Sequence, residues 1–430
     1  MGKAGFAFAI PYATIYQISM KQESHPYDVF MFGLTRSDYT LSSVSVAWTK
    51  EWAKTRRVFY FDRPFSIKDV KSDWNLPQFQ HRKKAVLFGL NPYKTIQLGN
   101  VEVIQVSPMM SLPLNFLPDG KLYHFLNKYN NFVLKRAMLR VIRDFKVKSY
   151  VYFNSFHPVL LPHIPKDFSL QPLANIYQSL DEISQEPYIA RHGVAAETVA
   201  MQHCDIAIGT SSKLCERHAT QLGRKVHLLA NAADYDTFEN ALNKDFSKPK
   251  ELENLKEPII MYTGHYSDLR LDHALVIALT QRYAHCQIVF VGTYVEADLV
   301  KYGLNQIANL HFIGSKPIED LPAFLKHASV AIIPYACNAL TKGIYPLKIN
   351  EYLAAGIPTV STHFSDDIAS FSGLIYLAAN TEDFLAKVQL ALDENPQLLL
   401  AARMQHAREN SWKTRVSYLE KLIEDFTHSA

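Results

Sequence analysis

The hydrophobic pattern alternates short runs of β-branched and aromatic residues with longer segments in which apolar residues recur at helical spacing. In the first half, the short runs predict strands at 28–32, 57–61, 84–88, 101–106, 149–153, 173–177, 206–208 and 226–229. Strands that alternate with helices are typical of β-α-β units, in which neighbouring strands run parallel. The first half is therefore predicted to form a doubly wound α/β domain.

The clearest helical segment of this half is 124–145, HFLNKYNNFVLKRAMLRVIRDF. Apolar residues recur there at near-helical spacing, and basic residues fill the other face. The simplest interpretation of the basic face is solvated surface, and contact with a membrane is the alternative.

A polar, proline-containing stretch near 243–258 separates this half from a second α/β series. The second series predicts strands at 259–262, 287–291, 310–313, 330–333, 359–361 and 374–377. Four helices are predicted near 272–284, 319–327, 347–355 and 381–392. We predict a first domain at 1–240, a linker at 241–257, a second domain at 258–405, and a C-terminal helix at 406–430 that packs back toward the first domain.

Two doubly wound sheets that face each other place the carboxyl ends of their strands on opposite walls of one cleft. Ligands of such sheets bind at those ends. The architecture suits an enzyme with two substrates, and it suits a binding protein that closes on its ligand equally well.

Composition excludes several classes of protein. The 430 residues include 45 basic and 41 acidic residues, and the formal net charge of +4 does not favour a nucleic-acid partner. The four cysteines form no C-x-x-C pair, and no stretch reaches the roughly 18 apolar residues needed to span a bilayer. The sequence predicts a cytoplasmic protein, and peripheral contact with the inner face of the plasma membrane stays open. The oligomeric state cannot be read from the sequence.

Several catalytic motifs are missing from the sequence. Neither half contains G-x-G-x-x-G, G-x-x-x-x-G-K-[ST], H-E-x-x-H or G-x-S-x-G. One D-x-D pattern, Asp234-Tyr235-Asp236, could hold a divalent metal on a diphosphate, but its irregular surroundings favour a turn or linker. No cofactor and no obligatory metal are expected.

The most informative segment is 332–362, IIPYACNALTKGIYPLKINEYLAAGIPTVST. It predicts a strand, a loop, a helix that begins at Pro346 and ends before Gly356, and another strand. Free backbone N–H groups at 343–347 and the positive end of the helix would form a seat for a diphosphate.

This segment resembles the P-L-K-x-x-E-Y-L-A-A-G-x-P-x-V-S-T block of the family 4 retaining glycosyltransferases. The similarity is to the bacterial branch that works on cell-surface polysaccharides and lipid-linked sugars. Further similar blocks occur in the family's order at 176–184, 210–214, 231–238, 262–264, 270–272 and 410–412. The resemblance covers roughly residues 28–425, and it is weakest at about 60–150.

The resemblance implies two Rossmann-like domains facing a cleft (the GT-B fold) and sugar transfer with retention of anomeric configuration. The implied substrates are a nucleotide-sugar donor and a saccharide or lipid-linked acceptor. Glu351 matches the glutamate that holds the donor's ribose, whereas Gly343 replaces the family's first glutamate. His265 and Arg270 stand where the family has an Arg and a Lys. The expected donor-binding residues are Gly264, His265, Gly343, Ile344, Tyr345, Pro346, Leu347 and Glu351.

Arg270, Lys348 and Asp181 are the predicted catalytic residues. Arg270 and Lys348 would neutralise the departing diphosphate, and Asp181 stands where many family members carry an active-site histidine. More ordinary roles are a helix carboxylate for Glu351, a surface ion pair with Asp268 or Asp272 for Arg270, and an N-cap for Asp181.

The acceptor side is predicted from residues that follow strands of the first domain. These candidates are Arg36, Asp38, Asn154, His157 and Glu182. A buried histidine at a strand end, such as His157, can equally be a packed core residue. The rival functions are a sugar-nucleotide epimerase of the same fold and a catalytically inactive nucleotide-sugar-binding protein.

Overall fold

A computed structural model describes residues 26–38, 43–186, 188–345, 347–395 and 397–429. The described chain contains two β-sheets with helices on their faces, which confirms the predicted α/β class. The first sheet contains the strands β1 (Asp28–Gly33), β2 (Val58–Phe61), β3 (Tyr93–Leu98), β4 (Val101–Val106), β5 (Tyr150–Ser155), β6 (Asn175–Ser179), β7 (Ile206–Gly209) and β8 (His227–Leu228). The second contains β9 (Ile259–Thr263), β10 (Gln287–Val291), β11 (Leu310–Phe312), β12 (Val330–Ile333), β13 (Thr359–Thr362) and β14 (Tyr376–Ala378).

The strand order is β3-β4-β2-β1-β5-β6-β7-β8 in the first sheet and β11-β10-β9-β12-β13-β14 in the second. All pairs are parallel except β3 with β4. The central strands β1, β5 and β9 are buried on both faces, which explains their continuous apolar runs. The carboxyl ends of the strands form the edge on which the site described below is built.

The helices in the first domain and its connection to the second are α1 (Val44–Trp52), α2 (Ile67–Ser72), α3 (Pro77–Gln80), α4 (Lys83–Phe88), α5 (Lys121–Asp144), α6 (Ala190–His203), α7 (Ser212–Leu222), α8 (Tyr235–Phe238) and α9 (Asn240–Asn243). The later helices are α10 (His273–Arg282), α11 (Glu296–Lys301), α12 (Leu321–Lys326), α13 (Leu347–Ala354), α14 (Thr381–Leu392), α15 (Gln397–Glu409) and α16 (Trp412–Ser429). None of the described helices is both long enough and apolar enough to span a bilayer.

The strand predicted at 84–88 is wrong, because these residues belong to α4. The run is too short for its apolar spacing to separate a strand from a buried helical turn. In the helix, Ala85 and Val86 are buried while Phe88 points to solvent, and Gly89 ends the helix with φ +66°. A left-handed residue at this place is typical of a helix C-terminus.

The edge strand β3 was missed by the pattern. It forms an antiparallel hairpin with β4, in which Leu98 pairs with Val101. The two residues between them are Gly99 and Asn100, and Gly99 has φ +63°. Two-residue hairpin loops need this conformation, so Gly99-Asn100 was the signal for the hairpin.

The last helix, α16, crosses from the second domain to the first. Its buried residues Trp412, Val416, Leu419 and Ile423 belong to the same apolar cluster as β1 and α1. The Trp412 ring lies edge-on to Trp48, with ring centroids 5.4 Å apart. α16 therefore packs into the core of the first domain, although it follows the second domain in the sequence.

Trp412 provides a test of this contact, since only 4% of its surface is exposed. We expect Trp412→Ala to lower the free energy of unfolding by about 3–5 kcal/mol, because it leaves a cavity beside Trp48. Urea unfolding followed by circular dichroism measures the change. Tyr418→Ala, at an exposed position of the same helix, is the matched control and should cost far less. Equal losses in the two variants would contradict the assignment.

Candidate functional site

Two loops approach each other closely at the carboxyl ends of β9 and β10. A Cβ atom on Gly292 would lie 1.9 Å from the carbonyl oxygen of Gly264, so position 292 excludes any side chain. Gly264 itself has φ +127°, a conformation that favours glycine. Next to these loops lies a cavity of about 230 Å³, lined by Thr263, Gly264, His265, Val291, Gly292, Thr293, Ser315, Lys316, Ile318, Leu321, Leu347, Lys348 and Glu351.

Lys348 enters this cavity from the first turn of α13. A Cβ atom on Gly264 would lie 3.1 Å from the Lys348 Cε atom, so the glycine also makes room for the lysine. Lys348 Nζ donates a hydrogen bond to the Tyr335 hydroxyl over 2.8 Å. It also lies 5.3 Å from the centre of the Tyr262 ring.

Tyr335 was not among the predicted site residues. It is buried just after β12, and burial alone would raise the pKa of its phenol. The charges of Lys348 and Arg270 outweigh burial and hold this pKa below its ordinary value of 10.0. The two predicted cations therefore act on one phenol, which marks this part of the cleft as electropositive. No sequence motif singles out Tyr335, because its role depends on two cations from other parts of the chain.

Glu351 lies on α13, one turn beyond Lys348. It borders both the 230 Å³ cavity and a larger interdomain cavity of about 510 Å³, which α1 and α16 also line. Burial raises the pKa of Glu351 to about 7, and Lys348 partly opposes this rise. Glu351 thus lies between the smaller cavity and the interdomain cavity.

His265 lies on the rim of the smaller cavity. Its side chain is exposed, and Nδ1 lies 2.8 Å from Thr293 Oγ1 and 3.0 Å from the Thr293 carbonyl oxygen. Thr293 thereby orients the ring and leaves Nε2 as the second polar atom of the imidazole.

The loop before α13 differs from the expected seat of free N–H groups. A short 3-10 turn at Thr341–Gly343 uses the N–H of Gly343 for the Leu340 carbonyl and that of Ile344 for the Thr341 carbonyl. These two groups are therefore not free to bind a diphosphate. Pro346 lies outside the described residues. Among the described residues of 343–347, Leu347 is the one that lines the cavity.

Gly343 and Tyr345 connect this loop to the first domain. A Cβ atom on Gly343 would lie 3.7 Å from the Cβ of Glu182, so the loop passes close to the opposite wall. Asn231 Nδ2 donates to the Tyr345 carbonyl over 3.0 Å, and Asn350 Nδ2 lies 3.3 Å from the Asn231 carbonyl. These residues hold the loop in place beside α13.

Arg270 reaches across the cleft to the first domain. Its Nη2 atom lies 3.0 Å from Glu186 Oε1 and 3.8 Å from Asp181 Oδ2. Burial raises the pKa of both carboxyl groups, and Arg270 opposes the rise. The alternative of an ion pair with Asp268 or Asp272 is wrong, because Asp268 pairs with Lys301 and Asp272 caps α10.

Glu186 and Asp181 form an acidic wall opposite the second domain. Sequence reasoning identified Asp181 and missed Glu186, which lies in irregular structure between β6 and α6. The partner that gives Glu186 its role is 84 residues away, so no local signal could identify it.

Glu182 points away from this wall. Its carboxylate pairs with Arg217, which also lies 3.2 Å from Glu197 Oε2. Burial raises the pKa of Glu197 to about 7, and Ser179 and Arg217 oppose that rise. Glu182 thus belongs to a polar cluster that stabilises the first domain.

A separate cavity of about 590 Å³ lies at the carboxyl ends of β1, β2, β4 and β5. Its lining includes Leu34, Arg63, Lys68, Phe116, Tyr123, Asn127, Asn130, His157, Tyr188, Arg191 and His192. His157 is 6% exposed, and burial lowers its pKa to about 3, so the ring is neutral. His157 Nδ1, Arg63 Nε and Asn127 Oδ1 are buried without a hydrogen-bond partner among the described residues. Unpaired buried polar atoms along one cavity indicate a place for a polar ligand.

The other predicted acceptor residues contact groups of the first domain itself. Asn154 exchanges hydrogen bonds with the backbone of His157 and fixes the turn after β5. Arg36 lies 3.6 Å above the Phe65 ring and pairs with Asp69, while Asp38 pairs with Arg82. None of Asn154, Arg36 and Asp38 is among the described residues that line the 590 Å³ cavity.

The D-x-D pattern also has a structural role. Asp234 caps α8 by accepting from the Thr237 N–H, and its carboxylate lies 2.6 Å from Lys50 Nζ. This ion pair joins α8 to α1 beside the 510 Å³ cavity. Asp234 thus acts as a structural residue of the turn before α8.

The raised pKa of Glu351 leads to a test of its burial. The Glu351 carboxyl group stays protonated in the folded protein up to about pH 7, whereas in the unfolded chain it ionises near the ordinary pKa of 4.5. Between these two pH values, Glu351 therefore destabilises the folded state progressively as the pH rises. We expect Glu351→Gln to raise the free energy of unfolding by about 3 kcal/mol above about pH 8 and to change it little near about pH 4. Urea unfolding at both pH values measures the difference. An equal effect at the two pH values would contradict the burial of an ionisable group.

Parts of the chain are similar to known proteins. Residues 257–394 match the family model described as glycosyl transferases group 1. A protein of Bacillus subtilis (strain 168), named as a teichuronic acid biosynthesis glycosyltransferase, is 22% identical over 226 residues. The matched region is 51% of this chain and 56% of the relative, so the chain spans little more than half of that relative's length.

Solved structures of glycosyltransferases share the whole fold. Sucrose-phosphate synthase from Thermosynechococcus elongatus superposes with a TM-score of 0.64 at 14% identity, over 94% of this chain and 100% of that one. A UDP-forming trehalose-phosphate synthase from Burkholderia vietnamiensis gives 0.64 at 11% identity, with 94% and 100% covered. An Anabaena protein solved in complex with UDP and glucose gives 0.56 at 11% identity, with 93% and 99% covered. The chain therefore has the two-domain GT-B fold of glycosyltransferases, and its second domain carries the match to the glycosyl transferases group 1.

Proposed function

We propose that this protein transfers a sugar from a nucleoside-diphosphate sugar to a saccharide or lipid-linked acceptor, with retention of anomeric configuration. The observation that carries the proposal is the placement of Lys348 and Glu351 in one cavity, with Arg270 close enough to act on the same phenol as Lys348. Lys348 and Glu351 line one cavity at the carboxyl ends of β9 and β10, and Tyr335 connects Lys348 electrostatically to Arg270. Two cations beside a carboxylate match the chemistry of a diphosphate attached to a ribose.

In the proposed donor complex, the Glu351 carboxyl group binds the ribose hydroxyls. Lys348 releases the Tyr335 hydroxyl and contacts the diphosphate, and Arg270 exchanges its first-domain carboxylates for phosphate oxygens. The N–H groups of Gly343 and Ile344 stay in their turn, so side-chain cations supply most of the positive charge. His265 borders the same cavity and can form a hydrogen bond with the nucleotide-sugar through Nε2.

Transfer breaks the bond between the anomeric carbon and the β-phosphate oxygen. Negative charge then builds on the phosphate, where Arg270 and Lys348 stabilise it, while positive charge spreads over the sugar ring near Asp181. For retention, the acceptor hydroxyl attacks from the face that the diphosphate leaves, and the leaving phosphate takes its proton. Since these two cations supply the charge that a divalent ion would otherwise supply, we expect turnover to persist in EDTA.

The acceptor enters through the 590 Å³ cavity of the first domain. Tyr188 lines this cavity, and burial together with the charges of Glu186 and Asp181 raises the pKa of its phenol. Tyr188 therefore links the cavity to the acidic wall that Arg270 contacts. The unpaired atoms of Arg63, Asn127 and His157 can bind hydroxyl groups of the acceptor.

The 590 Å³ cavity offers a place for a second substrate, and this favours sugar transfer over epimerisation or binding alone. An epimerase acts on one nucleotide-sugar, and an inactive binding protein needs only the donor cavity. The similarity to the Bacillus subtilis relative supports a role in cell-surface polysaccharide synthesis, with the cytoplasm as the source of the nucleotide-sugar.

Donor binding is tested by thermal unfolding in the presence of UDP, GDP, ADP or dTDP. A nucleoside diphosphate at about 100 times its Kd adds about 2.7 kcal/mol of stability. We expect one of the four to stabilise the wild-type protein and to lose this effect in Glu351→Ala. Glu382→Ala, on α14, is the matched control and should keep the effect. If none of the four diphosphates stabilises the wild type, the donor-site assignment is wrong.

The role of the cations is tested by substitution. We expect Arg270→Ala and Lys348→Ala to fold and to lower turnover by about 100-fold or more, since each removes a contact to the charge that develops in the transition state. Release of the nucleoside diphosphate from the donor found above measures turnover. Arg282→Ala, at an exposed position of α10, should leave it unchanged. Near-normal turnover in a folded Arg270→Ala or Lys348→Ala variant would contradict the mechanism.

Retention is tested by the configuration of the product. A donor with an α-linked sugar should give an α-linked product, because attack and departure share one face of the ring. Proton NMR of the anomeric hydrogen distinguishes the two outcomes. A β-linked product would show inversion and would exclude the same-face mechanism.

A further inference from the structure

The solvent side of α5 carries a line of large apolar side chains. Leu122, Phe125, Tyr129, Phe132 and Leu139 are all exposed, and 69% of the Phe125 surface and 61% of the Leu122 surface contact solvent. Their spacing of three, four, three and seven residues places them along one face of the helix, which we call the outer stripe. The opposite face, with Leu134, Met138 and Val141, packs against the first sheet.

The charges beside the outer stripe are mainly basic. Residues 121–143 contain six basic residues and no Asp or Glu. Asp144, the last residue of α5, pairs with Arg140 and Arg143, which leaves Lys121, Lys128, Lys135 and Arg136 without an acidic partner among the described residues. Most of the basic residues, together with Phe132 and Leu139, line a groove of about 970 Å³ that the 161–165 loop closes on one side. Apolar and basic groups therefore alternate over a continuous surface.

A second element extends this surface. Arg140 donates a hydrogen bond to the carbonyl of Gly89, which brings the end of α4 next to α5. Phe88 and Leu90, on either side of that glycine, are exposed large apolar residues, and Lys84 is exposed one helical turn earlier. Both helices thus present apolar and basic side chains at the same edge of the first domain.

The charge pattern identifies the kind of partner. A second copy of this chain would bring two sets of basic side chains together, whereas paired helices require opposite charges beside their apolar seam. A nucleic acid would satisfy the charges but would leave Leu122 and Leu139 without an apolar environment. An anionic lipid surface satisfies both, since basic residues bind the headgroups and apolar residues enter the boundary with the acyl chains.

We propose that the outer stripe of α5, with Phe88 and Leu90, binds an anionic phospholipid membrane. The inner side of the same helix contributes Tyr123, Asn127 and Asn130 to the 590 Å³ cavity. Membrane contact therefore places that cavity at the lipid surface. The surface is separate from Lys348, Glu351 and Arg270, so its test does not depend on the proposed reaction.

The experiment is co-sedimentation of the full-length protein with vesicles. We expect binding to vesicles of phosphatidylcholine mixed with phosphatidylglycerol, weak binding to pure phosphatidylcholine, and loss of binding at high salt. Phe125→Ser/Phe132→Ser should reduce the partition coefficient at least tenfold. Lys128→Gln/Lys135→Gln should reduce it by about fivefold for each lysine removed.

The control is Leu398→Ser/Lys256→Gln, which changes an exposed leucine and an exposed lysine of the second half and should bind as the wild type does. Circular dichroism confirms that each variant is folded. Equal binding of the wild type to both kinds of vesicle, or full binding by the phenylalanine variant, would overturn the proposal. So would self-association that Phe125→Ser/Phe132→Ser abolishes, or binding to RNA, in a protein that does not bind the anionic vesicles.

Discussion

The two domains are joined by an apolar contact beside the cavity that Glu351 borders. α16 leaves the second domain and buries Trp412 against Trp48, which itself packs on Phe153 of β5. This contact joins α16, which follows the second domain, to the core of the first sheet. In the same arrangement, Arg270 of the second domain lies 3.0 Å from Glu186 of the first.

The charged side chains on the two walls of the cleft are opposite in sign. The first domain presents Asp181 and Glu186, and the second presents Arg270 and Lys348. Each of these groups is partly removed from water, so each would be costly without a partner of opposite sign. The buried phenol of Tyr335 lies between the two cations and reports their combined field through its lowered pKa. A diphosphate brings the same kind of charge that the carboxylates supply in the ligand-free protein.

The sequence predicted most of the fold because buried parallel strands leave a strong local pattern. The prediction failed where tertiary contacts decide the structure, as at 84–88. So short an apolar run is compatible with either a strand or a buried helical turn. The helix that carries Lys348 and Glu351 was recognisable from its own residues. Glu186 and Tyr335 were not, because their roles come from a partner in another part of the chain. The hydrogen bonds that occupy the N–H groups of Gly343 and Ile344 depend on a turn whose form the sequence does not specify.

The contact between Arg270 and the acidic wall makes nucleotide affinity depend on protons. In the proposed reaction, the donor draws Arg270 away from Asp181 and Glu186, whose pKa values burial already raises. Without the guanidinium these values rise further, so the acids take up protons as the nucleotide binds. Thermodynamic linkage then requires affinity to increase as the solution becomes more acidic.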